Sequence, residues 1–130
     1  MTDRPRIIRH PAPVFPGISD SVRVSAGDLL FVSGAVALGT EGVPPADFES
    51  AVEATYTQLL RALDVGGARF SDVVRVNVYI VDLDDDRLAV WRTTRDRMVG
   101  SADLPASTLI GVQSLVGGAQ IEIDAVAAVG

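Results

Sequence analysis

Leu104-Pro105-Ala106-Ser107-Thr108 opens a strand, Gly117-Gly118 turns the chain, and Gln120-Ile121-Glu122-Ile123-Asp124-Ala125-Val126-Ala127 runs back. The fold is decided here. A strand's side chains alternate with period two, so Ile121, Ile123, Ala125 and Ala127 share one face while Gln120, Glu122 and Asp124 share the other. One face is core and the other carries carboxylates. The stretch reads as a closing hairpin, and the segments before it must supply what covers its apolar side.

Upstream lies a helix, Arg87 to about Val99, with Leu88, Trp91 and Met98 on its inner stripe and the acidic run Asp82 to Asp86 at its start. Before that, Ser71 to Asp82 is the longest strand. Val74, Val76, Val78 and Ile80 are expected on one face, with Val73, Arg75, Asn77, Tyr79 and Val81 on the other. The first helix is plainer still: Phe48, Ala51, Val52, Thr55, Leu59, Ala62 and Leu63 recur at spacings of three and four, and Gly66-Gly67 stops it. Gly39 to Pro45 is a turn-rich loop. Val22-Arg23-Val24 and Leu29-Leu30-Phe31-Val32-Ser33-Gly34 read as two strands of a hairpin turned at Ala26-Gly27-Asp28. The proline-rich run Pro11 to Asp20 is expected to be an ordered loop, and residues 1–12 a flexible N-terminal arm.

The order is β-β-α-β-α-β-β, an α+β two-layer sandwich with both helices on one face of a mixed sheet. All 130 residues fit a single domain. The other sheet face, with Arg75, Asn77, Tyr79, Glu122 and also Ser107 with Leu109, has no helix to cover it. Burial against copies of itself predicts a closed homo-oligomer.

Composition excludes several chemistries. A net charge of −6 argues against nucleic acid, whose backbone is bound by Lys and Arg. No apolar run approaches the roughly 20 residues of a membrane span, and the N-terminus lacks a secretory pattern, so the expected place is the cytoplasm. Zero cysteines and one histidine, His10, leave no thiolate nucleophile and no Cys- or His-rich metal site. All eleven basic residues are arginines, which removes Schiff-base chemistry on a lysine. No cofactor is expected.

Leu29 to Gly34, Asp72 to Tyr79, Leu104-Pro105-Ala106 and Ile121 to Ala127 together resemble the Rid family, the YjgF-type reactive-intermediate deaminases, over roughly Pro13 to Ala127. The resemblance implies a chorismate-mutase-like homotrimer with ligand clefts between subunits. It also implies hydrolysis of imines or enamines to keto acids and ammonia. The family arginine that binds a ligand carboxylate falls at Ser107, its loop tyrosine at Ile18 and its second-helix asparagine at Trp91. Ser33, Gly34 and Glu122 are retained.

Glu122 is the candidate general acid/base, although an ordinary pair with Arg75 across the sheet would also account for it. Ser33, Gly34, Ser107, Thr108, Ile18 and Trp91 are the candidate substrate-binding residues. Losing a guanidinium at Ser107 predicts weak action on imines of ordinary amino acids, unless Arg92, Arg95 or Arg97 reaches the cleft from a neighbouring subunit instead of forming a solvated helix face with the Asp84 to Asp86 run. Two functions stay open. One is an atypical family enzyme hydrolysing a small imine, enamine or related carbonyl metabolite, and the other a non-catalytic small-molecule-binding or interaction protein on the same trimeric frame.

Overall fold

Val73–Val81, here β4, is the central strand, and its neighbours define the architecture. The computed structural model describes residues 6–38 and 42–130. Ahead of β4 come β1 (Arg6–Pro11), β2 (Ser19–Ser25), β3 (Asp28–Ala35) and α1 (Phe48–Val65); after it come α2 (Asp85–Val99), β5 (Ala106–Val112) and β6 (Ile121–Val129). The sheet order is β1-β2-β5-β4-β6-β3, with β4 parallel to β5 and antiparallel to β6. Each helix carries the chain between parallel strands, α1 from β3 to β4 and α2 from β4 to β5. The helices lie side by side on one face, giving the expected α+β two-layer sandwich.

The first helix begins at Phe48 as expected, and the second begins at Asp85, two residues ahead of the expected Arg87. Asp47 and Asp84 cap them by accepting from the backbone N–H of Ser50 at 2.9 Å and of Arg87 at 2.7 Å. Val52, Leu59 and Leu63 of α1 are fully buried against Val78 and Ile80 of β4 and Ile121 and Ile123 of β6. These residues form the core between helices and sheet.

Five expectations of pairing, order and facing need correction. Neither hairpin exists. β5 and β6 are separated by β4, which pairs with both, and β2 and β3 lie at opposite sides of the sheet although only Ala26-Gly27 joins them. A link so short requires β2 to run across the end of the sheet rather than along it. It pairs with β1 over most of its length and meets β5 at one position, Ser19 opposite Ala106. The arm expected over residues 1–12 is, from Arg6 to Pro11, the strand β1, held by backbone pairing to β2. Residues 1–5 of that arm and residues 39–41 of the expected loop lie outside the described residues.

The faces of β4 and β5 differ from expectation too. A bulge between Val73 and Arg75 lets two consecutive positions break the alternation, so Val73 is fully buried in the core instead of sharing the open face with Arg75. On β5, Ser107 and Leu109 stand in register with Val76 and Val78 and face the helices; Thr108 and Ile110, in register with Asn77 and Tyr79, take the open face.

Arg9 fastens the β1–β2 ribbon across the sheet's end. Its guanidinium donates to the carbonyl oxygens of Leu104 at 2.7 Å, Ser71 at 2.7 Å and Val73 at 3.2 Å. Desolvation pulls its pKa down, opposed by the charges of Asp103 and Asp72. Replacing Arg9 by Ala should lower the local stability of the β1–β2 ribbon by roughly 1–3 kcal/mol, because charged donors to partly buried carbonyls are lost together. Hydrogen exchange should locate the change. Amides of β1 and β2 should exchange faster, and those of β4 and β6 should keep their protection.

Candidate functional site

The sheet divides the candidate residues between its two sides. On the helix side, Ile18, Trp91 and Ser107 meet in one cavity of about 350 Å³, completed by Phe15, Pro16, Leu83, Leu88, Arg92 and Leu109. Strand parity brings Ser107 and Leu109 to this side. Helix spacing does the same for Leu88, Trp91 and Arg92, which fall at i, i+3 and i+4. The segment between β1 and β2 forms the third wall. Its Gly17 has φ of +79° and abuts the Arg95 guanidinium, so a side chain there would be strained and would also collide.

The three arginines considered on α2 have separate fates. Arg97 turns to α1 and pairs with Glu53 at 2.6 Å and Glu49 at 3.5 Å, an exposed inter-helix contact in place of the expected pairing with the Asp84 to Asp86 run. Arg95 is only 5 % exposed. Its guanidinium carbon lies 4.7 Å from the Trp91 ring centre, and Nη2 pairs with the exposed Asp96 carboxylate at 2.8 Å. Among the described residues its buried Nη1 has no hydrogen-bond partner. Nearby, burial pushes the Tyr56 hydroxyl up against the opposing pull of Arg95. Of the three, Arg92 lines the Ser107 cavity, and it takes part in none of the ion pairs among the described residues.

Thr108 and Glu122 are on the opposite, open side. Arg75 Nη2 donates to Thr108 Oγ1 at 2.6 Å and to Asn77 Oδ1 at 3.2 Å. Asn77 Nδ2 donates to Asp124 Oδ1 at 2.9 Å, and the Tyr79 hydroxyl donates to Asp124 Oδ2 at 3.1 Å. Desolvation and then this bond to Asp124 push the Tyr79 hydroxyl's pKa up. The chain of contacts occupies Arg75, so the pairing of Glu122 with Arg75 does not form. Glu122 stands opposite Tyr79 instead.

What positions Glu122 is Gly34. Between Val32 and Ala35 the pairing with β6 shifts, leaving Ser33 and Gly34 both opposite Asp124 as a bulge. A Cβ at Gly34 would lie 2.6 Å from Glu122 Oε2 and 2.7 Å from Cδ, so the carboxylate rests on bare backbone. Gly34 and Glu122 thus meet at the β3 edge, apart from the Ser107 cavity, while Ser33 and Gly34 also line a separate cavity of about 560 Å³ beside Gln58 and Arg61 of α1. Among the described residues, no three His, Cys, Asp or Glu side chains are grouped to hold a metal ion.

Comparisons with known proteins agree with the fold. A family model described as Endoribonuclease L-PSP matches residues 16–129. The RutC family protein YjgH of Escherichia coli is 30 % identical over 97 residues, covering 75 % of this chain and 73 % of its own length. A 2-iminobutanoate/2-iminopropanoate deaminase of Dermatophagoides farinae is 26 % identical over 125 residues, covering 93 % and 94 %. The crystal structure of YyfB from Yersinia pestis, a protein of unknown function of the conserved Rid protein family, superposes with a TM-score of 0.83 at 30 % identity, covering 96 % of this chain and 98 % of its own.

Gly34→Ala tests the Glu122 seat. Its backbone conformation admits alanine, so the fold should persist, but the carboxylate must retreat by about 1 Å to restore ordinary contact distance. The Glu122 side-chain carboxyl resonance should shift while the amide spectrum of β4 stays in place.

Proposed function

Because the chain belongs to the Rid family, the YjgF-type group, we propose that it hydrolyses a small imine, enamine or related carbonyl metabolite in a cleft between subunits. The observation that carries this is the division of the site: Glu122 and Ser107 lie on opposite faces of one sheet, so a single protomer cannot present both to one ligand. A second copy can. The open face exposes Phe31 by 73 %, Leu29 by 55 % and Ile110 by 45 %, an apolar surface suited to burial against another protomer. A homotrimer is the assembly we propose, as in the resemblance drawn from the sequence.

In the proposed reaction water adds to the imine carbon. Glu122 takes a proton from that water as the C–O bond forms and passes it to the imine nitrogen, giving a carbinolamine and restoring the carboxylate. Glu122 then takes the hydroxyl proton and delivers it to the amine as the C–N bond breaks, so that the nitrogen leaves as ammonia and a carbonyl compound remains. Ser33 and Ser107 can hydrogen-bond but have no base to make them nucleophiles. One relative at 26 % identity carries an imine deaminase name, which supports the reaction class and not a particular substrate.

The second reading is a binding protein without catalysis. Ser107, a neutral hydroxyl where the family arginine is expected, favours it. The endoribonuclease in the family description gains no support from a chain of net charge −6.

Sedimentation equilibrium should give three times the chain mass, and Tyr79→Asp, which puts a charge on the open face, should shift the protein toward monomer. A monomeric wild type would refute the inter-subunit cleft. Glu122→Gln should leave the assembly intact and reduce ammonia release from imines generated in situ by about 10²- to 10⁴-fold. Unchanged turnover in that variant would remove Glu122 from the chemistry; no turnover in either protein would favour the binding reading.

A further inference from the structure

We propose that a small recess behind Trp91, enclosed by α1, α2 and the Gly17 segment, binds a single halide ion on the inward edge of the Arg95 guanidinium. The outward edge of that guanidinium is already engaged, since Nε and Nη2 donate to Asp96 Oδ1 at 3.0 Å and 2.8 Å. Gly17 abuts the group and the Trp91 ring packs against it. What is left is Nη1, which is buried and has no hydrogen-bond partner among the described residues. The same holds for Trp91 Nε1, which faces the Tyr56 hydroxyl without meeting it in hydrogen-bonding geometry. Two buried N–H donors on neighbouring turns of α2 therefore lack an acceptor, a costly arrangement unless something fills the space between them.

Size and charge decide what the guest is. Arg95, Trp91, Tyr56 and Ser107 border one recess of about 10 Å³, close to the least space that admits a single water-sized particle. Acetate, phosphate and sulfate, each of several heavy atoms, are too large. A water would fit, but it must place its own hydrogens, and no carboxylate or amide side chain lines the recess. The carbonyls of Leu104 and Pro105 beside it already accept from Ser19, at 2.6 Å and 3.0 Å. Water would also leave the Arg95 charge balanced by Asp96 alone, and that side chain is 50 % exposed and screened by solvent. A halide needs only donors and brings the missing negative charge to the buried side. Trp91 and Ser107 line the larger cavity as well, so an ion fixed here braces two walls of the candidate site from behind.

The chain's only tryptophan, Trp91, reports on the recess directly. Bromide quenches indole emission on contact, so titrating the intact protein in halide-free buffer should quench Trp91 along a saturating curve, and chloride should reverse the quenching by competition. Acetate at equal ionic strength should not. Arg95→Met keeps much of the side chain's bulk but removes the charge and the Nη1 donor, and it should weaken bromide binding at least about tenfold. Asp96→Asn removes the competing carboxylate from an exposed position and should tighten binding severalfold, which keeps the test decisive even where Arg95→Met fails to fold. Thermal melting of each variant checks folding, and Arg97→Gln is the control for net charge. Quenching that stays linear up to about 0.5 M bromide, the result for a recess holding water only, overturns the proposal. So does displacement by acetate as effective as by chloride, unchanged binding in Arg95→Met, a loss in Arg97→Gln equal to that in Arg95→Met, or binding no tighter in Asp96→Asn. The outcome is independent of hydrolysis, because no substrate enters the measurement.

Discussion

Strand parity on β4, clamped between β5 and β6, is the constraint on which the rest of this structure depends. Because Val76, Val78 and Ile80 must face the helices, Asn77 and Tyr79 cannot, and every neighbour in register inherits the same choice. Ser107 is thereby assigned to the cavity and Thr108 to the open face. A slip of one residue anywhere in these pairings would exchange core for surface. Two bulges, at Val74 and at Ser33-Gly34, are the places where the rule is relaxed, and the second of them seats Glu122.

The two faces are stabilised by different physics. Behind the sheet, Leu59, Leu63, Val78, Ile80 and Ile123 exclude water with apolar bulk alone. In front of it, Asp124 accepts from Asn77 and Tyr79 while Arg75 bridges Asn77 to Thr108, so the polar groups of three strands restrain one another. Mutual satisfaction of this kind gives a surface of defined shape, which a mobile set of charged side chains would lack.

Much of this was legible from residues in a row. The stripe from Phe48 to Leu63 and the alternation from Ile121 to Ala127 specify a helix and a half-buried strand with little room for error. Pairing was not legible, because sequence nearness misleads twice: Ala26-Gly27 looks like a hairpin turn but joins strands that never pair, and β6 returns beside β4 instead of β5. Nor can an apolar run announce a bulge, so Val73 was expected on the wrong face. For the site, Ile18, Trp91 and Ser107 do share a cavity. Thr108 could have been separated from Ser107 by parity alone, and Arg92 from Arg97 by the helical spacing that puts it beside Leu88 and Trp91.

The single contact between β2 and β5 has a consequence for the chain before it is assembled. Beyond Ala106, the outer edge of β5 has no strand partner among the described residues. Ser107-Thr108-Leu109-Ile110-Gly111-Val112 is uncharged, free of proline and rich in β-formers, the composition of segments that recruit further strands. The opening that leaves Ser107 reachable to a ligand is therefore also an unpaired template for aggregation. Solubility of this protein then depends on what shields that edge, because the folded chain itself leaves it unpaired.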